Sequence, residues 1–205
     1  MYKSFYSIYE LNKIGFKKVG ENVLISKKVS IYSPQNMSIG NNVRIDDFCI
    51  LSGKLEIANY IHIACYTALF GGDKGIFIGS YTTLSSRVSV YAKTDDYSGE
   101  FMTNPMIPSC CTNVISTAVN IADFVIIGSG CVILPGTNIK EGVACGALSL
   151  INKNLEPWSI NAGVPARKIK DRSKKLLQLK NEFSEKFEIE NRSEEHTSEL
   201  QSPVR

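Results

Sequence analysis

The stretch from Ile115 to Ile151 reads ISTAVN IADFVI IGSGCV ILPGTN IKEGVA CGALSL I and carries a regular repeat. Each block of six residues opens on an apolar or small side chain, and a small or β-branched residue follows four places later. An α-helix repeats about every 3.6 residues and a β-strand about every 2, so neither produces this period. The pattern predicts a coil with three short sides, in which equivalent residues stack in columns inside a prism. This hexapeptide repeat is the signature of a parallel β-helix.

The same period runs backwards to Val19, with short interruptions at residues 33–38 and 70–77 that predict bulges at corners. The second place of each block is often Gly, Ala or Ser, as a tight corner requires. The repeats predict an all-β domain of about six coils. The first-place column of the predicted core is Val19, Ile25, Ile31, Ile39, Ile45, Leu51, Ile57, Ile63, Leu69, Ile78, Leu84, Val90, Ile115, Ile121, Ile127, Ile133, Ile139, Cys145 and Ile151. The fifth-place column is Val23, Val29, Val43, Cys49, Leu55, Ile61, Thr67, Thr82, Val88, Val119, Val125, Cys131, Thr137, Val143 and Ser149.

A short helix is predicted before the ladder begins. Ser7 and Glu10 have the spacing of a capping box, and Gly15 supplies a stop signal. We therefore predict a helix from Ile8 to Ile14. It would cover the open end of the prism, because a terminal coil otherwise exposes its core and its backbone edge.

The repeats divide the chain into parts. Residues 1–18 form an N-terminal cap, residues 19–156 form the β-helix domain, and residues 157–191 form a C-terminal segment with a helix. The domain contains a protruding loop at 91–114, a stretch of 24 residues without periodicity. Loops of this length in compact domains are usually functional or disordered. Since this one is rich in aromatic and apolar residues, we expect it to pack against a neighbouring subunit.

The C-terminal segment combines two signals. Pro157 and Pro165 disfavour a regular helix in its first half. From Ser173 onward the apolar residues recur with helical spacing, which predicts an amphipathic helix. The apolar positions of this helix are Leu176, Leu177, Leu179, Phe183 and Phe187.

The last residues are interpreted as foreign to the protein. Residues 192–202 read RSEEHTSELQS, which is the in-frame translation of a common sequencing-adapter sequence. We expect residues 192–205 to be an assembly artefact and leave them out of the fold prediction. The alternative is a genuine polar tail. His196 belongs to this tail, so His62 is otherwise the only histidine of the chain.

Composition and charge exclude several classes of function. The 205 residues are 43% hydrophobic and 21% charged, which fits one sizeable globular domain. A net charge of +3 is too small to indicate a nucleic-acid partner, and no nucleic-acid motif is present. No apolar run approaches the roughly 18 residues that a membrane-spanning helix needs, and the first residues do not resemble a signal peptide. We therefore expect a cytoplasmic protein with neither nucleic acid nor membrane as partner.

The cysteine pattern predicts neither a disulfide framework nor a metal site. Of six cysteines, Cys49 and Cys131 occupy core positions of the repeat, where we interpret them as small reduced hydrophobic residues. Cys110 and Cys111 are adjacent in the loop. No CxxC motif is present, so the sequence predicts no structural zinc site and no other metal.

The ladder, the protruding loop and the sequence AGVPARKIK at residues 162–170 together resemble the hexapeptide-repeat acyltransferases. This resemblance implies a left-handed parallel β-helix, a homotrimer and acetyl-CoA as co-substrate. The segments KIGFKKVGENVLIS, IHIACYTALFGG and LSSRVSVYAKTDDYSGEFMTNPMIP are most similar to dTDP-4-amino-4,6-dideoxyglucose N-acetyltransferases of surface-polysaccharide (lipopolysaccharide and O-antigen) biosynthesis. The expected activity is therefore acetyl transfer to an amino sugar on a nucleotide carrier.

One departure from the wider superfamily bears on the reaction. Sugar O-acetyltransferases of the maltose and galactoside type carry a catalytic histidine in a loop sequence like IYTATHP, and on VYAKTDD this histidine falls on Asp95. A hydroxyl nucleophile needs a general base such as histidine, whereas a neutral amine already attacks a thioester. The departure favours N- over O-acetylation. The predicted catalytic residues are Asp95, Asp96 and His62; the alternative is that the aspartates shape a turn and that His62 is structural.

The resemblance also implies positions that contact coenzyme A. The edges of the coils would offer backbone groups to the pantetheine arm, and the cationic side chains would meet phosphates. As surface residues, the cations could alternatively be solvated charges. The predicted cofactor-binding residues are Ser129, Ala147, Asn152, Lys153, Arg167 and Lys170.

Three alternative functions differ in what they require of the sequence. A sugar O-acetyltransferase would use Asp95 or His62 as its base. A γ-type carbonic anhydrase has the same fold but needs several histidines to hold zinc, and His62 alone cannot supply them. A non-catalytic scaffold would have no reason to keep the motif at residues 162–170.

Overall fold

The computed structural model describes residues 4–186, so the tail at 192–205 lies outside the described residues. The chain divides into two compact units, with the boundary between Arg172 and Ser173. The first unit is the β-helix with its cap and loop. The second unit contains a helix over residues 176–186, which confirms the predicted C-terminal helix, although Phe187 lies outside the described part. No helix within residues 4–186 is both long and apolar enough to span a bilayer.

Short strands make up the first unit. Most of them have two or three residues, as expected when each side of the prism is one hexapeptide long. In chain order they are β1 (Lys18–Val19), β2 (Leu24–Ile25), β3 (Ser30–Tyr32), β4 (Met37–Ile39), β5 (Val43–Ile45), β6 (Ile50–Ser52), β7 (Leu55–Ile57), β8 (Ile61–Ile63), β9 (Ala68–Phe70), β10 (Ile76–Ile78), β11 (Thr83–Leu84), β12 (Ser89–Tyr91), β13 (Lys93–Thr94), β14 (Ile115–Ser116), β15 (Val119–Ile121), β16 (Ile126–Ile127), β17 (Val132–Ile133), β18 (Asn138–Ile139), β19 (Ala144–Cys145), β20 (Leu150–Ile151), β21 (Ser159–Ala162) and β22 (Arg167–Asp171).

Three parallel sheets form the sides of the prism. Sheet 1 has the order β1-β4-β7-β10-β15-β18, and sheet 3 has the order β3-β6-β9-β12-β17-β20. Sheet 2 has the order β2-β5-β8-β11-β16-β19-β21-β22. Each coil of the chain adds one strand to each sheet, and equivalent residues stack in register: Ile78 lies opposite both Ile57 and Ile121. The molecule is a left-handed parallel β-helix of about six full coils, as predicted.

The predicted core columns lie inside the prism. Every fifth-place residue is buried, and the first-place residues from Ile39 to Ile151 are buried with one exception. At the N-terminal end, Val19 and Ile31 are only partly buried because they belong to the first coil. Cys49 and Cys131 are free and fully buried, and burial raises the pKa of the Cys49 thiol to about 11. Both cysteines are therefore small apolar core residues, as the sequence predicted.

The exception is Ile115, whose predicted place in the core column was wrong. Its side chain is 48% exposed, and β14 pairs antiparallel with β13 at the base of the loop. Val90 already fills the inward position on sheet 3 in that coil. The loop was inserted between two sides of the prism, so Ile115 belongs to the loop ribbon although it keeps the hexapeptide spacing.

The corners explain the small residues of the repeat. A Cβ atom on Gly79 would lie 2.6 Å from the carbonyl carbon of Ala122 in the next coil, so only glycine fits without displacing backbone. At the corner between sheets 1 and 2, Tyr60, Tyr81 and Phe124 all have positive φ values, which turns the chain. Their rings stack at centroid distances of 4.9 and 5.1 Å along the corner.

Trp158 closes this aromatic column at the C-terminal end. It is 8% exposed and packs over Gly142, where an added Cβ would lie 2.5 Å from the Trp158 ring. Nη1 of Arg172 donates to the carbonyl oxygens of Phe124 and Gly142 at 2.7 and 3.1 Å, which satisfies acceptors at the edge of the prism. Trp158 is therefore a packing residue of the C-terminal cap.

The first half of the C-terminal segment forms a hairpin that the sequence did not predict. β21 adds a partial seventh coil to sheet 2, and β22 returns antiparallel to it. Pro157 and Pro165 correctly excluded a helix here. They could not indicate strands, because the pairing of β21 depends on β19 of the preceding coil.

The N-terminal cap is as predicted. Helix α1 covers Ile8–Ile14, with both hydrogen bonds of the capping box between Ser7 and Glu10. Gly15 ends the helix in the left-handed conformation, at φ 89°. Leu11 is 1% exposed and belongs to the hydrophobic core, so α1 covers the open end of the first coil.

Candidate active site

The protruding loop has internal structure. It leaves the prism after β12 and is closed at its base by the antiparallel ribbon of β13 and β14. Further out, a 3-10 turn at Ser109–Cys111 and a bridge between Met102 and Thr112 join its two arms. Two of its large side chains point into solvent, with Tyr97 91% and Met106 89% exposed. The loop therefore offers apolar groups that its own chain does not cover.

A cavity of about 720 Å³ lies between the loop and the outer face of sheet 3. One wall is the stacked pair of Phe70 and Tyr91, whose ring centroids are 5.1 Å apart. Lys93 and Asp95 line the same cavity from the loop base, so it combines an aromatic wall with one cation and one carboxylate. These groups are of the kinds that recognise a sugar nucleotide: a flat apolar surface, a phosphate-binding cation and a hydrogen-bond acceptor.

The two predicted loop carboxylates are held differently. Oδ1 of Asp96 accepts from the amide and hydroxyl of Ser98, and Oδ2 accepts from Asn113 at 3.1 Å. The hydrogen bonds from Ser98 lower the pKa of Asp96. Among residues 4–186, Asp95 accepts a single long bond, 3.4 Å from the amide of Asn104 to Oδ2. Asp96 therefore shapes the loop, while Asp95 keeps more of its acceptor capacity for a ligand.

His62 lies on β8, with its side chain on the outer face of sheet 2. Its Nε2 is 2.7 Å from Oδ2 of Asp46, and Nε of Arg44 donates to Oδ1 of the same carboxylate at 2.7 Å. The imidazole side chain is 43% exposed and can be reached from solvent. His62 is therefore a polar surface residue with a carboxylate partner, and it is not packed in the core.

One chain does not bring His62 and Asp95 together. His62 is on sheet 2, whereas Asp95 follows the β13–β14 ribbon, which leaves the prism after β12 of sheet 3. Across residues 4–186, no hydrogen bond or ion pair joins the two side chains. A site that uses both residues needs two subunits.

The predicted cofactor residues fall into two groups. Ser129 and Ala147 are exposed at the corner between sheets 2 and 3 in consecutive coils, and the amide of Leu148 donates to the carbonyl of Ser129. Ser86, one coil earlier, places its hydroxyl 3.2 Å from that of Ser129. These small residues leave the backbone of the corner accessible to an extended ligand.

The cations lie around the C-terminal end of the prism. Arg167 on β22 pairs with Ala162, next to the corner that carries Ala147, and Lys170 lies further along the same strand. Asn152 and Lys153 are exposed where the chain leaves sheet 3, at a different corner. The structure thus groups Ser129, Ala147 and Arg167 along one edge and separates Asn152 and Lys153 from them.

The comparison with known proteins decides the family. No protein-family model matches the chain. A dTDP-4-amino-4,6-dideoxy-D-glucose acyltransferase from Escherichia coli is 49% identical over 177 residues, which are 85% of this chain and 92% of the relative. This chain belongs to the dTDP-4-amino-4,6-dideoxyglucose acyltransferases.

Solved structures of a related enzyme support the same family assignment. AntD, an N-acyltransferase from Bacillus cereus in complex with dTDP and 3-hydroxybutyryl-CoA, superposes with a TM-score of 0.89 and 54% identity, over 90% of this acyltransferase and 98% of AntD. A variant of AntD in which a serine is replaced by alanine was solved in complex with dTDP-4-amino-4,6-dideoxyglucose and coenzyme A. A more distant relative, the putative lipopolysaccharide biosynthesis O-acetyl transferase WbbJ of Escherichia coli K12, is 32% identical over 69% of this acyltransferase and 71% of WbbJ.

Sequence reasoning missed two features of the acyltransferase. Asp46 was not recognised as the partner of His62, and Phe70 and Tyr91 were not recognised as a cavity wall. A signal for both was present in the repeat. Asp46 occupies the same place in its coil as Ala64 does in the next coil, and Ala64 is two residues after His62. Phe70 and Tyr91 occupy the same place in consecutive coils. The coil register therefore brings Asp46 close to His62 and Phe70 close to Tyr91.

Proposed function

We propose that the acyltransferase transfers an acetyl group from acetyl-CoA to the amino group of dTDP-4-amino-4,6-dideoxyglucose, for bacterial surface-polysaccharide biosynthesis. The observation that carries this proposal is the nearly full-length match to an enzyme named for this substrate. The AntD complexes with dTDP, this amino sugar and coenzyme A support it. We expect the reaction in the cytoplasm, as the sequence predicted.

The reaction needs little from the protein beyond position and a proton acceptor. The neutral amine attacks the thioester carbonyl, a C–N bond forms, the C–S bond breaks, and coenzyme A leaves as a thiolate. The nitrogen becomes strongly acidic as its bond to carbon forms, so a carboxylate is a sufficient base. We assign Asp95 as the group that accepts this proton. The proton can then pass from Asp95 to the thiolate, which gives the free thiol of coenzyme A.

The location of Asp95 supports this assignment. It lies in the loop cavity, beside Lys93 and the Phe70–Tyr91 wall, with one long hydrogen bond of its own. AntD has been solved with substitutions of an aspartate and of a serine ten residues before it. Ser85 and Asp95 have the same spacing in this chain.

Acetyl-CoA fits the edge between sheets 2 and 3. The exposed corner residues Ser129 and Ala147 leave backbone groups free to contact the pantetheine arm, and their small side chains do not obstruct it. Arg167 and Lys170 would meet phosphates at the C-terminal end of this edge. Asn152 and Lys153 remain predicted contacts, and their position at another corner requires the adenine end of coenzyme A to cross sheet 3 or a neighbouring subunit to approach.

We further propose that the enzyme is a homotrimer in which the loop of one subunit covers the coils of the next. Exposed Tyr97 and Met106 would be buried there, and Asp95 of one subunit would meet His62 of its neighbour. We expect a solution mass about three times the 22.7 kDa chain at micromolar concentration, measured by light scattering. A monomeric mass would contradict the two-subunit site.

The assay that tests the function compares an amine with a hydroxyl. Purified enzyme is incubated with acetyl-CoA and either dTDP-4-amino-4,6-dideoxyglucose or the analogue with a hydroxyl at the same carbon, and the products are identified by mass spectrometry. We expect acetylation of the amino sugar and little of the analogue, because the site offers a carboxylate where O-acetyltransferases offer histidine. A preference for the hydroxyl would favour the WbbJ-like O-acetyl transfer instead. A parallel reaction with 3-hydroxybutyryl-CoA tests the acyl length, since AntD was solved with that thioester.

A further inference from the structure

A polar cluster on the outer face of sheet 2 has an unusual arrangement around Asp46. Its carboxylate lies between Arg44 and His62, each 2.7 Å away and each bonded to a different oxygen. The guanidinium of Arg44 in turn lies 5.5 Å from the centre of the Phe5 ring. The side chain of Asp46 is 20% exposed and that of His62 is 43% exposed. The carboxylate is thus enclosed by donors, while the imidazole keeps one edge open.

This geometry determines which nitrogen of His62 carries the proton. Burial favours the neutral form of Asp46, but the hydrogen bonds from His62 and Arg44 outweigh it and lower the pKa of the carboxyl. An ionised carboxylate only accepts hydrogen bonds, so Nε2 of His62 is the donor. In the neutral ring, Nδ1 then holds the lone pair, and no group among residues 4–186 donates to it.

The cluster lies on the edge along which acetyl-CoA is proposed to bind. The amide of Asp46 donates to the carbonyl of Ile63, and the amide of Ser85 donates to that of Ile127, so Asp46 and Ser85 belong to the same corner column. Ser129 and Ala147 lie at this corner in later coils. The open edge of His62 therefore lies beside this corner, nearer the N-terminal end of the prism than Ser129 and Ala147.

We propose that Asp46 is a positioning residue for acyl transfer: it holds the His62 ring so that Nδ1 accepts a hydrogen bond from the amino group of the nucleotide sugar. Arg44 acts through Asp46 by holding its second oxygen. This inference rests on the proposed function, because it needs the amino sugar to bind in the proposed site between two subunits. It assigns orientation to His62 and leaves the proton transfer to Asp95.

The kinetic test is a double-mutant cycle. We expect Asp46→Asn to lower kcat/KM by about 10- to 100-fold, because a misaligned reactive group costs that much. His62→Ala should lower it by a similar factor. Because Asp46 acts through His62, adding Asp46→Asn to the His62→Ala variant should cause no further loss. Equal losses in both backgrounds would show a structural role for Asp46 and overturn the proposal.

Asp47 supplies a matched control. It is the next residue in the same turn, and its carboxylate accepts from Ser26 and Lys28 but not from His62. We expect Asp47→Asn to keep near-native kcat/KM in both backgrounds. A loss of kcat/KM equal to that of Asp46→Asn would show that removing any negative charge from this turn lowers activity. That result would contradict a specific action of Asp46 on His62.

A proton NMR spectrum tests the pairing without any substrate. A ring N–H bonded to a carboxylate gives a low-field resonance that exchanges slowly with water at low temperature. We expect this signal in the intact protein and in the Asp47→Asn variant, and its loss in the Asp46→Asn variant; His196→Gln removes the second histidine from the assignment. Absence of the signal in the intact protein would overturn the inference even if the enzyme acetylates the amino sugar. An enzyme that shows the signal but does not acetylate the amino sugar would overturn the proposed function, and the catalytic part of this inference with it.

Discussion

Replacing Asp95 with asparagine is expected to lower kcat/KM for dTDP-4-amino-4,6-dideoxyglucose by about 10²- to 10⁴-fold, the usual contribution of a general base. Asparagine keeps the shape of the side chain and can still accept from the Asn104 amide, but it cannot take up the amine proton. The loss should appear mainly in kcat, because the proton moves only as the C–N bond forms. Steady-state kinetics with acetyl-CoA at saturation measures both parameters.

Asp96 is the control for this variant, because it is the next residue in the same loop. Both of its carboxylate oxygens already accept hydrogen bonds, one from Ser98 and the other from Asn113. Asp96→Asn should therefore disturb the loop conformation without removing the proton acceptor of the reaction. We expect a loss in kcat/KM below about 10-fold, mostly through KM. Near-native activity of the Asp95 variant would show that Asp95 is structural. A larger loss in the Asp96 variant would move the base to Asp96.

Ile127→Ala is expected to lower the free energy of unfolding by about 2–5 kcal/mol, as deletion of a fully buried isoleucine usually does. Ile127 is 0% exposed on β16, and its neighbours in the column are Leu84 of β11 and Cys145 of β19. The strands above and below are held by the coil register, so they cannot collapse into the cavity. Urea unfolding at a fixed protein concentration measures the change.

The adjacent Ile126 provides the comparison. It is on the same strand and has the same side chain, but it points outward and is 40% exposed. Ile126→Ala should change the free energy of unfolding by about 0.5 kcal/mol or less, because little buried surface is lost. If both variants lost the same stability, the inward and outward faces of β16 would be assigned wrongly.

Most of the fold was predictable because each hexapeptide places its side chains inward and outward in the same pattern. Where the ladder is uninterrupted, a residue at the first or fifth place faces inward, so even Cys49 and Thr82 could be placed in the core from their positions. The prediction failed at Ile115, where the spacing continued but the chain had not yet returned to the prism. Spacing alone cannot show how an inserted loop is closed.

The candidate site was predictable only in part. The substitution of Asp95 for the histidine of related loops drew attention to a segment that lines the loop cavity in the structure. The different hydrogen-bond partners of Asp95 and Asp96 could not be derived, because they depend on contacts with Ser98, Asn104 and Asn113 inside the loop. The placement of Asn152 and Lys153 at a different corner from Ala147 could not be predicted either, because the resemblance identifies the residues but does not give their positions in space.

The sequence by itself determined the β-helix, its number of coils, its N-terminal cap and its family, because these depend on a period and on motifs that are continuous in the chain. Only the tertiary structure decided that Asp46 holds His62, that Phe70 and Tyr91 wall the loop cavity, and that His62 and Asp95 lie on different sides of one subunit. The physical reason is that inward residues are selected by hydrophobic burial, which acts at every repeat alike. Outward polar contacts join residues a full coil or more apart, and they form only once the register between coils and the path of the loop are established.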